Sequence, residues 1–397
     1  VLTATSLDIS GAIDVDGTSN LDVIDVDGAA NFAADVTFAA GADIITASAG
    51  TSNVRVGVNA GNSIVSGGTK NVAVGDEAGT ALTDADFNTH IGYSAGSAIT
   101  TGAQNTIIGG VAGDALNTGA DNVAVGVSSL GADTKGNFSV ALGTSTLTTQ
   151  NFTTTTNAYN TAVGHAAGAN LTTATNATIV GALAGGGAAL TGAANTMIGY
   201  NSGHALTSGH SNTLGGQGAG DALTTGNYNT AFGIDALGTE TAGAASTAIG
   251  TGALQNQLLG DGADSDNCAV GYVAGYAITS GLGNVCLGRA GSALTDADNN
   301  VAIGKATLGV DTLGSRSVAI GSFALQTQNF TTATNVENVA VGYNAGQAIT
   351  TGFKNTIVGG LGYDNLRNGD RNISIGYDTS ASGIDDSLAI LIGVGIT

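Results

Sequence analysis

The chain has 397 residues with 65 Gly, no Pro, no Trp and one Met, whereas an average globular composition carries about 5% Pro. Nine basic against thirty acidic residues leave a net charge of −21, which argues against nucleic acid or an anionic bilayer as partner, since both need a cationic footprint. The two Cys cannot make a disulfide framework, and no stretch of the sequence reaches the roughly 18 apolar residues of a membrane helix.

Missing proline is also positive information. Pro cannot donate to a strand ladder, so its absence predicts strand pairing almost from end to end. The apolar share is dominated by Ala and Val, which implies a thin core.

Residues 1–50 hold eight Asp and no Lys or Arg, with alternation such as Ile13, Val15 and Leu21, Val23 between Gly turns. They are expected to form a separate β stem with Asp outward. The opening "VLTATSLDIS" has neither Met nor a basic n-region, so the chain is expected to be a processed product or part of a longer one.

From residue 51 to 376 a unit recurs: Asn, Val or Thr, a small residue, an aliphatic, then Gly. It runs "NVAVG" from Asn71 to Gly75, "NTIIG" from Asn105 to Gly109, "NVAVG" from Asn122 to Gly126, "NTAVG" from Asn160 to Gly164 and "NTIVG" from Asn355 to Gly359. The marker glycines are spaced by 17 residues at most steps, by 18 at Gly57 to Gly75 and Gly181 to Gly199, by 16 at Gly288 to Gly304, and by 21 at three steps. A fixed period of this length is the mark of a solenoid. At about 4.8 Å per rung, about twenty rungs would make a roll about 95 Å long.

A second apolar mark falls seven residues after most of these glycines, as at Leu82, Ile99, Leu116, Leu171 and Leu206. Alternation within "NVAVG" places Val72 and Val74 on one face and Ala73 on the other. The larger side chains are expected to face the core, with Ile108 opposite Leu116 and the column of Ala73, Ala124, Ala141 and Ala162 forming an outer interface stripe. The Asn column fits a turn position, where Asn accepts left-handed geometry and can stack its amides between rungs. The 21-residue steps, before Gly164, Gly271 and Gly342, are read as insertions projecting from one edge, where solenoids often carry their binding face. Residues 377–397 lose the Asn signal and read as a terminal rung, a cap or the start of a following domain.

Side chains able to do chemistry are few. His90, His165, His204 and His210 lie in different rungs with no triad-like setting, so an enzyme is not expected, nor a cofactor. His90 holds a place otherwise given to Ala, so in a trimer three copies would approach the axis, as interface histidines before any metal or anion site. Asp261, Asp264 and Asp266, and the pairs Asp84, Asp86 and Asp296, Asp298, supply oxygen ligands of the kind Ca²⁺ takes but match no calcium-loop pattern, and they read first as turn residues. Cys268 and Cys286 sit at adjacent places of the unit, so their Cβ vectors diverge and free thiols are expected. Tyr93, Tyr200, Tyr272, Tyr343 and Tyr377 each follow a marker glycine and are read as a variable surface position. An ice-binding Thr ladder is disfavoured because the paired Thr of "ALTTG" point oppositely.

The units "NTAVGHAAG", "NTAFGIDALG" and "NVAVGYNAGQAITTG" resemble the repeats of trimeric autotransporter adhesin heads (YadA-like) and of bacteriophage tail-fibre shafts. The stem "DISGAIDVDGTSNLDVIDVDG" resembles stems of marine-phage fibres. The resemblance implies an all-β, left-handed parallel β-roll (β-solenoid), assembled as a parallel homotrimeric fibre. It implies a virion or extracellular location and attachment to a host-surface glycan or protein receptor. Adhesin heads have a shorter repeat and lead to a coiled-coil stalk and membrane anchor, so the 17-residue period favours the phage fibre. A bacterial surface adhesin or extracellular filament subunit is the alternative.

Overall fold

A computed structural model describes residues 49–260 and 262–396 of the chain. The expected stem, residues 1–50, lies outside them except for its last two residues. The described chain is an all-β parallel solenoid of about twenty turns. Its main sheet has twenty strands of three residues each, from Val54–Val56 to Ile390–Ile392, each ending one residue before a marker glycine. Each strand pairs in parallel with the strand one turn later and in register, Val72 with Thr89, Ala73 with His90 and Val74 with Ile91. Register follows from the repeat because every turn offers the same sequence of large, small and turn residues to its neighbour.

The marker glycine is needed for backbone reasons. Gly75 has φ +130°, and a Cβ there would come within 2.6 Å of the Gly92 carbonyl oxygen. The chain turns the corner where two rungs approach most closely, and no L side chain fits.

The two faces of each strand are the reverse of the expectation. Ala73, Ala124, Ala141 and Ala162 are fully buried, whereas Val72 and Val74 are only half-buried and face outward. It is Ile107, not Ile108, that shares the core with Leu116. Period-2 alternation assigns residues to a common face without saying which face is inside. The core is thin: one wall is the row Leu82, Ile99 and Leu116, and the inward place of the strand is Ala in ten of the twenty strands. Where Ile107 or Met197 takes that place, a glycine of the turn lies against it. A Cβ on Gly113 would lie 3.1 Å from Ile107, and one on Gly185 would lie 2.8 Å from Met197. The outward Val, Ile and Thr are β-branched residues that stack on their counterparts in neighbouring rungs, which suits strands covered on one side only.

The Asn residues are buried and do stack. Asn88 Oδ1 accepts the Asn105 backbone N–H at 2.9 Å and its side-chain amide at 3.2 Å, and Asn105 Nδ2 donates to the Gly119 carbonyl at 2.9 Å. Asn71, Asn122 and Asn355 continue the same pattern. The left-handed conformation expected of these Asn belongs instead to the residue before each one, such as Lys70 (φ +58°), Phe87 (+61°) and Gln104 (+61°). The backbone must reverse before the Asn side chain can point inward and run along the rod.

Candidate binding surface

The 21-residue steps build something the regular rungs lack. In the rung before each insertion, the place of the core Leu, seven residues after the marker glycine, is taken by an acid: Asp133, Glu240 or Asp311. In the following rung the same place holds Gln150, Gln257 or Gln328. All six are fully buried. Gln150 donates to Asp133 Oδ2 at 2.6 Å and to Ser139 Oγ at 2.9 Å, and its Oε1 accepts from Asn160 at 2.9 Å. Backbone N–H groups of Gly136 and Phe152 complete the shell of Asp133. Glu240, Ser246, Gln257 and Asn267 repeat this arrangement, as do Asp311, Ser317, Gln328 and Asn338.

This network is a splice. The Asn ladder stops at Ser139, Ser246 and Ser317, each of which still donates its backbone N–H to the Asn below. The Gln then carries the side-chain bonding across the longer step to Asn160, Asn267 and Asn338. The lost core volume is restored three residues earlier: Leu130, Leu147, Leu237, Leu254, Leu308 and Leu325 occupy the place that regular rungs give to a glycine such as Gly79 or Gly96. Each of these Leu keeps the positive φ of the glycine it replaces, 47–56°. An uncommon conformation for a branched residue is held here by burial. Sequence reading passed over these residues because it followed the apolar mark only where it was present. The usable signal was the coupled change, Gly to Leu at one place and Leu to acid or Gln at the next, repeated three times.

Two of the insertions, before Gly164 and Gly342, expose short Thr-rich segments. Thr153, Thr154 and Thr155 are open to solvent, and Tyr159 stacks on Phe138 at 5.2 Å between ring centres. The Tyr residues that follow marker glycines are each more than half exposed.

Other candidate residues settle into structural places. His90 is fully buried in its own chain's core, between Ala73 and Ile107 in the sheet register, so the expected approach to a trimer axis is wrong for this side chain. Neither ring nitrogen has a partner, and burial pushes its pKa down to about 4. Asp86 accepts from the Thr69 hydroxyl and N–H, both at 2.7 Å, and Asp296 accepts from the hydroxyls of Ser280 and Thr279, so both carboxyls are held below their ordinary range. Among the described residues no group of three or more His, Cys, Asp or Glu could hold a metal. Of the Asp261, Asp264 and Asp266 group, Asp261 falls outside the described residues. Both cysteines are free; Cys286 is buried and Cys268 partly exposed, and burial pushes the Cys286 thiol up to about 12.

The outward face of the main sheet runs along all twenty strands. Its two columns, one starting Val54, Val72, Thr89 and the other Val56, Val74, Ile91, contain no charged residue through Ile390 and Ile392. Phe232 and Ile198 are respectively 44% and 45% exposed there. No helix among the described residues is long and apolar enough to cross a membrane. No family model matches the chain and no curated protein matches it significantly. The class that fold and surface define is therefore the parallel β-solenoid.

Proposed function

We propose that the chain is a structural fibre protein, the shaft of a phage tail fibre that links a virion to attachment at a host surface. Three copies would lie side by side, each a left-handed roll, with no catalytic role. The observation that carries this reading is the uncharged outer sheet face. In a chain with thirty acidic residues, two columns along twenty strands are free of charge. The column from Val56 to Ile392 is apolar throughout, and an apolar stripe of this extent favours lateral pairing. The intersubunit contact would then be made by the Val, Ile and Thr columns, because the Ala column is spent on each chain's own core. The acidic remainder keeps assembled rods apart.

Light scattering on the purified protein should return three times 38.2 kDa, and electron microscopy should show rods. The paired substitution Ile198→Lys and Phe232→Lys should lower the assembly state while leaving the β signal in circular dichroism. A wild-type monomer at micromolar concentration would remove the trimer. Labelling of source particles distinguishes the owner: rods on a capsid support the fibre, and rods on a cell envelope would replace it with an adhesin or filament.

A further inference from the structure

The single 16-residue step, Gly288 to Gly304, leaves a pocket of about 220 Å³ lined by Tyr272, Val273, Tyr276, Arg289 and Ser292. Its origin can be traced to one residue. In every other described rung the second residue after the marker glycine has a positive φ, as Val273 (+50°) and Ala306 (+55°) do. From Glu77 onward its N–H bonds to the carbonyl of the first residue after the glycine one rung earlier, as Val273 bonds Thr251 at 2.9 Å. The rung starting at Gly288 has no such residue. Ala290 takes the buried place that follows it, accepting from Gly275 at 3.0 Å as Ala95 accepts from Gly79 at 2.9 Å. Gly288 consequently bends to φ +87°, where the other marker glycines lie between 123° and 150°.

Three chemical features meet in the space left behind. The Tyr272 carbonyl loses its ladder donor, which leaves a lining residue with a backbone acceptor that no backbone N–H occupies. The Arg289 side chain is exposed, and the two ion pairs among the described residues, Arg316 and Lys354 with Glu337, do not involve it. Tyr272 and Tyr276 supply aromatic walls, the latter leaning on Gly252, where an added Cβ would sit 3.7 Å from its ring. The surroundings are cationic although the chain is acidic. Lys305 follows Arg289 in the same column one rung on, and residues 267–295 contain no acid.

We propose that this pocket binds an acidic sugar residue of a surface glycan. A guanidinium pairs with a carboxylate, an unpaired carbonyl and the Ser292 hydroxyl take sugar hydroxyls, and a Tyr face covers the apolar side of a pyranose ring. The inference deepens the attachment reading and depends on it for where the glycan resides, but not for the binding itself.

Calorimetric titration of the intact chain with a galacturonate trisaccharide should show binding at least tenfold tighter than with the neutral galactose trisaccharide or a Glu-containing tripeptide. Arg289→Gln should weaken it about tenfold. One glycine inserted between Arg289 and Ala290 restores the 17-residue step, closes the pocket and should abolish binding with an unchanged melting curve. Tyr200→Ala, at the same repeat place elsewhere, should have no effect. Equal binding of neutral or peptide ligand, retention in the insertion variant, or no binding to the wild type overturns the proposal. Assembly mass, measured on the same samples, shows whether the fibre reading fails with it or stands.

Discussion

A regular rung and a spliced rung solve the same packing problem in opposite ways. Around Gly109 the core is closed by Ile107 and Leu116, the turn contributes Gly113, and the only buried polar column is Asn on Asn. Around Gly126 the turn contributes Leu130 and the apolar place is surrendered to Asp133. The volume moves three residues along the chain, and a carboxylate becomes affordable because four donors surround it: the Lys135, Gly136 and Phe152 N–H groups and the Gln150 amide. His90 is one exception, a polar ring within a regular core that has no network, and the buried Tyr363 hydroxyl, also without a partner, is another. A β-solenoid thus tolerates buried polar groups where neighbouring rungs supply partners, and elsewhere keeps them neutral.

The strongest way to break this comparison is to remove the acid of a splice. Asp311→Ala strips the acceptor from the Gly314 and Phe330 N–H groups and from Gln328, leaving three neutral donors unpaired at about 1–3 kcal/mol each, so it should cost about 3–5 kcal/mol locally. Hydrogen exchange at Val318 and its neighbours would report it, while Asp84→Ala at an exposed turn should stay within about 0.5 kcal/mol. If both variants exchange alike, the network is not what holds the splice.

Acid should single out the regular core next. His90 has a folded pKa depressed from 6.5 to about 4, so the unfolded chain binds the proton first as pH falls. Its contribution is intact above pH 6.5 and is lost between there and pH 4, by roughly 3 kcal/mol in all. His90→Ala restores the residue common in that column and should remove this part of the acid sensitivity, read from melting curves at pH 7 and 4.5.

A smaller effect is expected from the ladder. Asn105→Ala deletes the acceptor of Asn122 and the donor to Gly119, and should cost about 2 kcal/mol. Asn160→Ala should cost more, since it also strands the Gln150 carbonyl of the splice. The least perturbing test compares the thiols: in the Ile198→Lys, Phe232→Lys variant, which should not assemble, a maleimide should label the partly exposed Cys268 and leave the buried Cys286 unmodified until the rung opens.

Much of the architecture was legible in the sequence. The marker glycines foretold the end of every strand in the main sheet, because only a glycine can occupy a corner where successive carbonyls approach so closely. The Asn stacking was legible for a similar reason, since an identical side chain at a fixed period meets its own copy. The splices were not, because Asp133 and Gln150 lie 17 residues apart and are only related once two rungs are laid on each other.

Sequence by itself determined the period, the register and the places where the period fails. Tertiary structure alone decided the inside and the outside. Alternation is symmetric, so Val72, Ala73 and Val74 could have faced either way; the folded roll buries the methyl of Ala73 beside Ala60 and Ala78 and leaves both valines at the surface. The folded roll likewise turned one missing residue after Arg289 into a pocket, because an absent side chain opens space only where the neighbouring rungs continue without it.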